Sequence, residues 1–447
     1  MKSGATNDVR ELGAATLAYA VLTFLMALPF SLSPGSRVLD DVPDVHLFIW
    51  TLAWDTHAFL SQPLTIFDAN IYHPFANTLA YSENLIGSAL FAAPIIWLTG
   101  NPVLAMNLTA LLTCVLCGTG AFLLARRLNM SIAAAFLCGV IFAFSSPRFI
   151  RIGQLHMTAV QWIPFCLAFL HTYLDRGTRR DLLLALACFT LQVLSSGHGA
   201  AFLVVAILVV LTWRFATGDA LALRQRLRDI GVAGAYLLAP AVWILMPYRM
   251  AQTSAGLRRT YLSDAMPGVA DFLASPSRFH IYLKEELIGA LPREPDAFLF
   301  PGLLAPLLAT VAVATWPAQR FADRRIPLYG LLAALSTAMF MAWPFEIWKY
   351  VYWLPGFNFI RVPSRFITLT MLALGVLAAL GFEKISARLP RAGRLSAAGV
   401  VALLLFAEYS LYPLGSKPFT PGITAVDRWL DSRPKPFVFA EMPVPSA

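Results

Sequence analysis

Apolar runs of roughly 15–25 residues, separated by short charged turns, recur along almost the whole chain. A soluble core cannot absorb that many such runs, so the chain reads as an all-α polytopic membrane protein. The runs fall near 13–33, 83–99, 102–125, 131–145, 158–174, 182–195, 198–213, 230–247, 298–316, 326–343, 367–382 and 395–413. Composition agrees: 58% of the 447 residues are hydrophobic and 13% are charged, against about a quarter charged in ordinary soluble domains. The net charge of +9 is then no sign of nucleic acid, since Lys and Arg gathered in cytoplasmic turns account for it. The first run is too long for a signal peptide and is followed by no small-residue cleavage site, so a retained helix is expected.

Charge placement sets the expected topology. If all twelve runs cross and the N-terminus is inside, three basic turns (Arg126-Arg127, 175–181 and 214–229) land outside, against the positive-inside tendency. The run 83–99 is short and holds Pro94, so it suits a re-entrant or interfacial segment. Removing that one crossing makes those three turns, and the basic turns at 320–325 and 384–394, cytoplasmic and leaves about eleven spans with the C-terminus outside. Residues 1–413 then form the membrane domain, with external loops 34–101, 146–157, 248–297 and 344–366. Residues 414–447 form an external tail that reads as the start of a truncated soluble domain or as a segment packed on the outer face. Residues 44–60 have the pattern of an amphipathic helix lying on the membrane surface. In the tail, 426–430 reads as a helical turn and 437–440 as a short strand.

The external segments hold the chemistry. Asp40, Asp41 and Asp44 follow the first span, and a sugar transferase needs a carboxylate to accept a proton from the attacking hydroxyl; carboxylates also hold divalent cations. Asp41 and Asp44 are the candidate bases, and Asp68 is a further acid. The turn 145–156 places Arg148, Arg151 and His156 outside, where guanidiniums suit a lipid phosphate. Solvated acids and arginines reaching lipid headgroups would look the same at this level. His198 lies in another external turn. Arg361 and Arg365 flank Pro363 before an apolar span, again at phosphate-binding positions; aromatic anchoring at Trp348, Tyr350, Tyr352 and Trp353 is the competing use of that segment.

Several chemistries find no support. All five cysteines fall within apolar runs, so the pair Cys114 and Cys117 reads as packing, with no metal or redox role. No P-loop, Gly-rich nucleotide fingerprint, HExxH or GxSxG occurs. The spans hold few ionisable residues, Glu408 being the clearest, which disfavours an ion-coupled transporter.

The acidic first external loop, the short membrane-surface segment after it and the external turn two crossings later resemble the GT-C superfamily of polytopic glycosyltransferases. Residues 68–83, 194–198, 299–302 and Ile360-Arg361-Val362-Pro363-Ser364-Arg365-Phe366 are similar to bacterial membrane proteins of the YfhO-like and mannosyltransferase-like kind. The resemblance implies transfer of a sugar from a polyprenyl-phosphate carrier to a cell-envelope glycan, lipid or protein in the bacterial inner membrane. It places the catalytic acid at Asp41 or Asp44, gives Arg148, Arg151, Arg361 and Arg365 to the carrier phosphate, and lets His156 assist the leaving oxygen. The turn at 145–156 offers His156 and Arg151 where many relatives have a second acid, so a divalent cation is an open element of this reading. The alternative is a non-catalytic transporter or binder of lipid-linked glycans using the same cavity.

Overall fold

The computed structural model describes residues 2–39, 44–218, 220–237, 239–254, 256, 261, 265–317, 323–354, 356–419, 423–435 and 437–439. Its helices are α1 (Lys2–Met26), α2 (Val45–Ser61), α3 (Ile86–Thr99), α4 (Pro102–Arg127), α5 (Ile132–Phe144), α6 (Ser146–Phe149), α7 (Leu155–Thr158) and α8 (Trp162–Arg176). They continue through α9 (Arg179–Ser195), α10 (Gly197–Thr217), α11 (Ala220–Leu237), α12 (Ala239–Ser254), α13 (Arg278–Ile288), α14 (Leu304–Thr315) and α15 (Arg325–Ala338). The last are α16 (Trp348–Val351), α17 (Ile367–Ile385), α18 (Arg391–Tyr409) and α19 (Ala425–Asp431). Six segments among the described residues are long and apolar enough to cross a bilayer: 8–26, 102–127, 155–176, 197–217, 363–385 and 391–409. The protein is a multi-pass membrane protein.

Local sequence explains where these helices start. Asn101 accepts from the Leu104 amide at 3.0 Å ahead of Pro102, a cap worth about 1 kcal/mol that opens α4. Ser131 does the same for α5 and Ser196 for α10. The centre of the bundle is α4, α5, α8 and α17, whose facing surfaces are small and apolar. A Cβ on Gly381 would lie 1.8 Å from the Leu308 carbonyl, so α17 and α14 meet backbone to backbone, as small residues permit where no hydrophobic effect drives helices together. Helices α1 and α18 are far less covered: 22% and 28% of their apolar windows are buried, against 83% for the span ending at Ile385.

Helix α3 has 14 residues with Pro94 inside it, about 21 Å at the helical rise and short of the ~30 Å hydrocarbon layer. Helix α2 forms where an amphipathic helix is expected, but it does not simply lie on lipid. Phe48, Leu52 and Trp54 are buried, because α2 docks on α3 and α4, and Leu47 and Leu60 are left exposed.

The tail departs from its sequence pattern. Residues 437–439 carry no regular structure, so the strand expected at 437–440 is absent from its described part; Ala440 lies outside the described residues. The only ladder among the described residues pairs β1 (Arg37–Val38) antiparallel with β2 (Lys417–Pro418). A two-residue strand needs a partner to exist at all, and here the segment after α1 supplies it. Arg37 adds bonds from Nε to Ser416 Oγ at 2.9 Å and from Nη2 to Ser416 O at 2.6 Å. The expected helical turn at 426–430 appears as α19, with Thr424 and Asp427 forming a capping box.

Candidate functional site

Five segments bring charge together at the end of the bundle that carries residues 34–101. The elbow between α9 and α10 breaks at Ser196-Gly197, which aims His198 inward from the first turn of α10. Helix α3 presses hard on this elbow: a Cβ on Gly87 would lie 2.3 Å from Ser195 Oγ. That approach sets Glu83, four residues earlier, against the elbow. Its Oε1 is 2.7 Å from His198 Nδ1 and its Oε2 accepts from the Gly197 amide at 2.9 Å.

From His198 the chain of contacts continues across three more segments. His198 Nε2 is 3.1 Å from Arg365 Nη1, at the mouth of α17. Arg365 Nε lies 3.7 Å from Asp296, and Arg151 Nη2 lies 2.7 Å from the same carboxylate. Arg151 also donates to Gln154 Oε1 at 3.1 Å and to the Pro295 carbonyl at 2.8 Å. The Arg151–Asp296 pair is close in charge but poorly aligned as a hydrogen bond: Asp296 Oδ1 finds no directed donor, and neither Arg151 Nε nor Arg365 Nε finds an acceptor. The nearer distance is the better guide to attraction, and the missing alignment to how easily a better anion would displace the carboxylate.

His156 stands beside this chain. Its ring centroid is 5.4 Å from that of His198 and 5.0 Å from that of Phe48 in α2. The side chain is buried and its Nδ1 has no partner.

Burial and charge act against each other on the two acids. Burial raises the Glu83 carboxyl, but its hydrogen bond to His198, the charges of His198 and His156 and the Gly197 amide outweigh that, bringing it from 4.5 to about 2. Asp296 is likewise raised by burial and lowered further by Arg151 and Arg365, so it stays below the usual carboxylate range. Both are anions at neutral pH.

The structure sorts the residues singled out in the sequence. Arg151, His156, His198 and Arg365 converge. Asp44, half-buried just ahead of α2 with its side chain making no capping bond, lies near enough for its charge to act on Arg365. Asp40 and Asp41 lie outside the described residues. Arg148 does not join the others. It is 1% exposed, and its guanidinium donates to the carbonyls of Ala143 at 2.7 Å and Thr158 at 3.0 Å and to Cys117 Sγ at 2.9 Å. These are structural bonds tying α5 to the following turn, which corrects the expectation that Arg148 faces a phosphate. Arg361 is exposed. Asp68 is exposed too, and its Oδ1 accepts from the Asn77 amide at 2.7 Å, closing a loop.

Two participants escaped sequence reasoning. Glu83 closes the polar segment before α3, and Asp296 sits in the charged stretch Arg293-Glu294-Pro295-Asp296. The only available signal was a carboxylate in a loop between apolar runs, shared with many others. A third is Asp55, fully buried in α2 with neither carboxylate oxygen bonded; burial raises its pKa well above 3.8. Its charge is felt at Tyr248, whose hydroxyl accepts from Asn84, the neighbour of Glu83. Among the described residues no three His, Cys, Asp or Glu side chains converge as a metal cage.

No protein-family model and no curated protein sequence matches the chain. Its fold does match solved structures. The crystal structure of ArnT from Cupriavidus metallidurans in the apo state aligns over 92% of this chain and 77% of that one, with a TM-score of 0.54 and 16% identity. A second crystal structure of ArnT from the same organism, bound to undecaprenyl phosphate, aligns over 90% and 64% of the two chains, with a TM-score of 0.43 and 18% identity. At 16% identity the likeness is one of fold alone: this chain shares the architecture of ArnT.

Proposed function

We propose that the protein is a membrane glycosyltransferase that moves a sugar from a polyprenyl-phosphate carrier to a cell-envelope acceptor. In this reading the charged cluster faces the extracytoplasmic side of a bacterial inner membrane and the N-terminus is cytoplasmic, as the distribution of basic turns suggests. The observation that carries the reading is the pair of Arg151, buried, and Arg365, half-buried, at the mouth of the bundle, both facing one weakly aligned carboxylate, Asp296. Two guanidiniums with donors to spare suit the oxygens of a phosphate.

The chemistry follows from charge. Asp44, or Asp41 three residues before it, takes the proton of the acceptor hydroxyl as its oxygen attacks the anomeric carbon. The bond from that carbon to the phosphate oxygen breaks, and the electron pair leaves on the phosphate. Arg151 and Arg365 then offset the growing negative charge in a site that largely excludes water. The Glu83–His198 pair supports Arg365 from behind, and His156 with its free Nδ1 is the nearest group to assist the leaving oxygen.

The test is transfer of label from radiolabelled polyprenyl-phosphate sugars by purified protein, with Asp41→Asn/Asp44→Asn alongside. Transfer by wild type, cut about 10²–10⁴-fold in the variant, supports the enzyme and its base. Carrier bound by both proteins with no transfer by either would replace this reading with a transporter or binder of lipid-linked glycans.

A further inference from the structure

At the opposite end of the bundle a cavity of about 570 Å³ opens between α1, the last turn of α4, the start of α5 and the turn from α17 into α18. Its walls hold Arg126, Arg391 and Arg394 against a single carboxylate, Glu11. Two of the three arginines are preset by the fold. Arg126 donates to the Met130 carbonyl at 2.6 Å and to Glu11 at 3.0 Å. Arg394 donates to the carbonyls of Leu389 at 3.0 Å and Ala387 at 2.7 Å. Carbonyls orient a guanidinium without cancelling its charge, so positive charge is left over. Arg391 is 79% exposed, and its approach to Glu11 is a loose 4.0 Å. The next nearby acid, Glu383, is turned away into the amide and hydroxyl of Ser131.

The depth of this cavity in the bilayer identifies its occupant. Arg126 lies at the end of one span and Arg391 begins another, so the arginines sit where lipid headgroups lie. The flanking helices α1 and α18 both pack on α5 and are the least covered of the six candidate spans among the described residues. They expose Leu17, Val21, Leu395 and Leu403 along their lengths, apolar surface suited to acyl chains. We propose that this cavity is a seat for an anionic phospholipid of the adjoining leaflet, its phosphate held by Arg126, Arg391 and Arg394. The volume is of the size that takes a small ligand or headgroup, and basic pockets between span ends on the positive side of a membrane protein favour anionic lipid. The proposal is independent of glycosyl transfer.

The experiment is native mass spectrometry of the full chain in a neutral detergent, titrated with dioleoyl phosphatidylglycerol or dioleoyl phosphatidylcholine. Arg391→Glu is the test variant, since its side chain is largely in solvent and its change leaves packing alone. Arg388→Glu, exposed on the same turn but outside the cavity lining, is the control. Phosphatidylglycerol is expected to bind wild type roughly tenfold more tightly than phosphatidylcholine, with Arg391→Glu removing about tenfold and Arg388→Glu almost nothing. Equal binding of the two lipids, or equal losses in the two variants, would overturn the seat in favour of unspecific surface attraction. Displacement of the lipid by millimolar inorganic phosphate would overturn it in favour of a soluble anion.

Discussion

Two polar networks share the loop that leads into α14, one partly open to solvent and one buried, and they are built on opposite plans. The first runs Glu83–His198–Arg365–Asp296–Arg151 and leaves atoms without directed partners at Arg151, Asp296, Arg365 and neighbouring His156. The second runs from Ser275 Oγ to His280 Nδ1 at 2.8 Å and from His280 Nε2 to Glu408 Oε1 at 3.1 Å. Glu408 also receives the amides of Leu303 and Leu304, and Lys284 is held by the Leu273 carbonyl and the Phe300 ring. Every polar atom of Ser275, His280 and Glu408 is matched. Buried groups are nearly always satisfied, so the complete network reads as a fastening of the loop to the last span. The incomplete one reads as a place prepared for something else.

Four measurements would break or sharpen that contrast. The largest effect is expected from Arg365→Ala, with sugar transfer falling about 10²–10³-fold while thermal unfolding in detergent shifts little. A parallel loss of fold would remove the distinction between the networks. Next, Glu408→Gln should cost about 2 kcal/mol, because it removes one acceptor oxygen from a buried site that three donors address. Transfer per folded molecule should persist, and a loss of turnover in the folded fraction would make the second network part of the site.

The two remaining effects are smaller and depend on pH with opposite signs. Glu83 has its folded pKa lowered to about 2 from 4.5. Its contribution, about 2–3 kcal/mol, is therefore full above 4.5 and lost as pH falls toward 2. Unfolding midpoints of wild type should drop across that window, and those of Glu83→Gln should not. Asp55 is the reverse case: burial raises its pKa, so the folded state retains a proton that the unfolded chain releases above 3.8. Stability is thus lost as pH rises, and Asp55→Asn should gain about 1 kcal/mol or more at pH 7 and nothing near pH 3. A destabilised Asp55→Asn would mean that this carboxylate has a partner which its burial conceals.

The span pattern, the existence of helix α2 and the tail helix α19 were readable because each depends on local periodicity, whereas the docking of α2 was not. Arg151, His156, His198 and Arg365 could be named because positive charge and imidazole at the mouths of apolar runs stand out. Their partners could not be, since Glu83 and His198 lie 115 positions apart and Arg151 meets a loop 144 positions away. Arg148 misled for a related reason: three residues from Arg151 in the same turn, it points the other way, and nothing local distinguishes a guanidinium that caps a helix from one that awaits a ligand. The short strand was misplaced because pairing is a property of two segments, and neither 37–38 nor 417–418 carries a strand pattern of its own.

The ladder between Arg37–Val38 and Lys417–Pro418 also sets a schedule. Arg37 waits for Ser416, 379 residues further on, and translation at about 5–20 residues per second makes that a delay of roughly 20–75 s. Over that interval the segment that follows α1, with Asp44 and α2 behind it, has already been made without the strand that will clasp it. Phe419 then donates its amide to Ser36 at 2.8 Å and stacks on His46 at 4.8 Å. The mouth of the site is among the first parts of the molecule to be made and among the last to be closed.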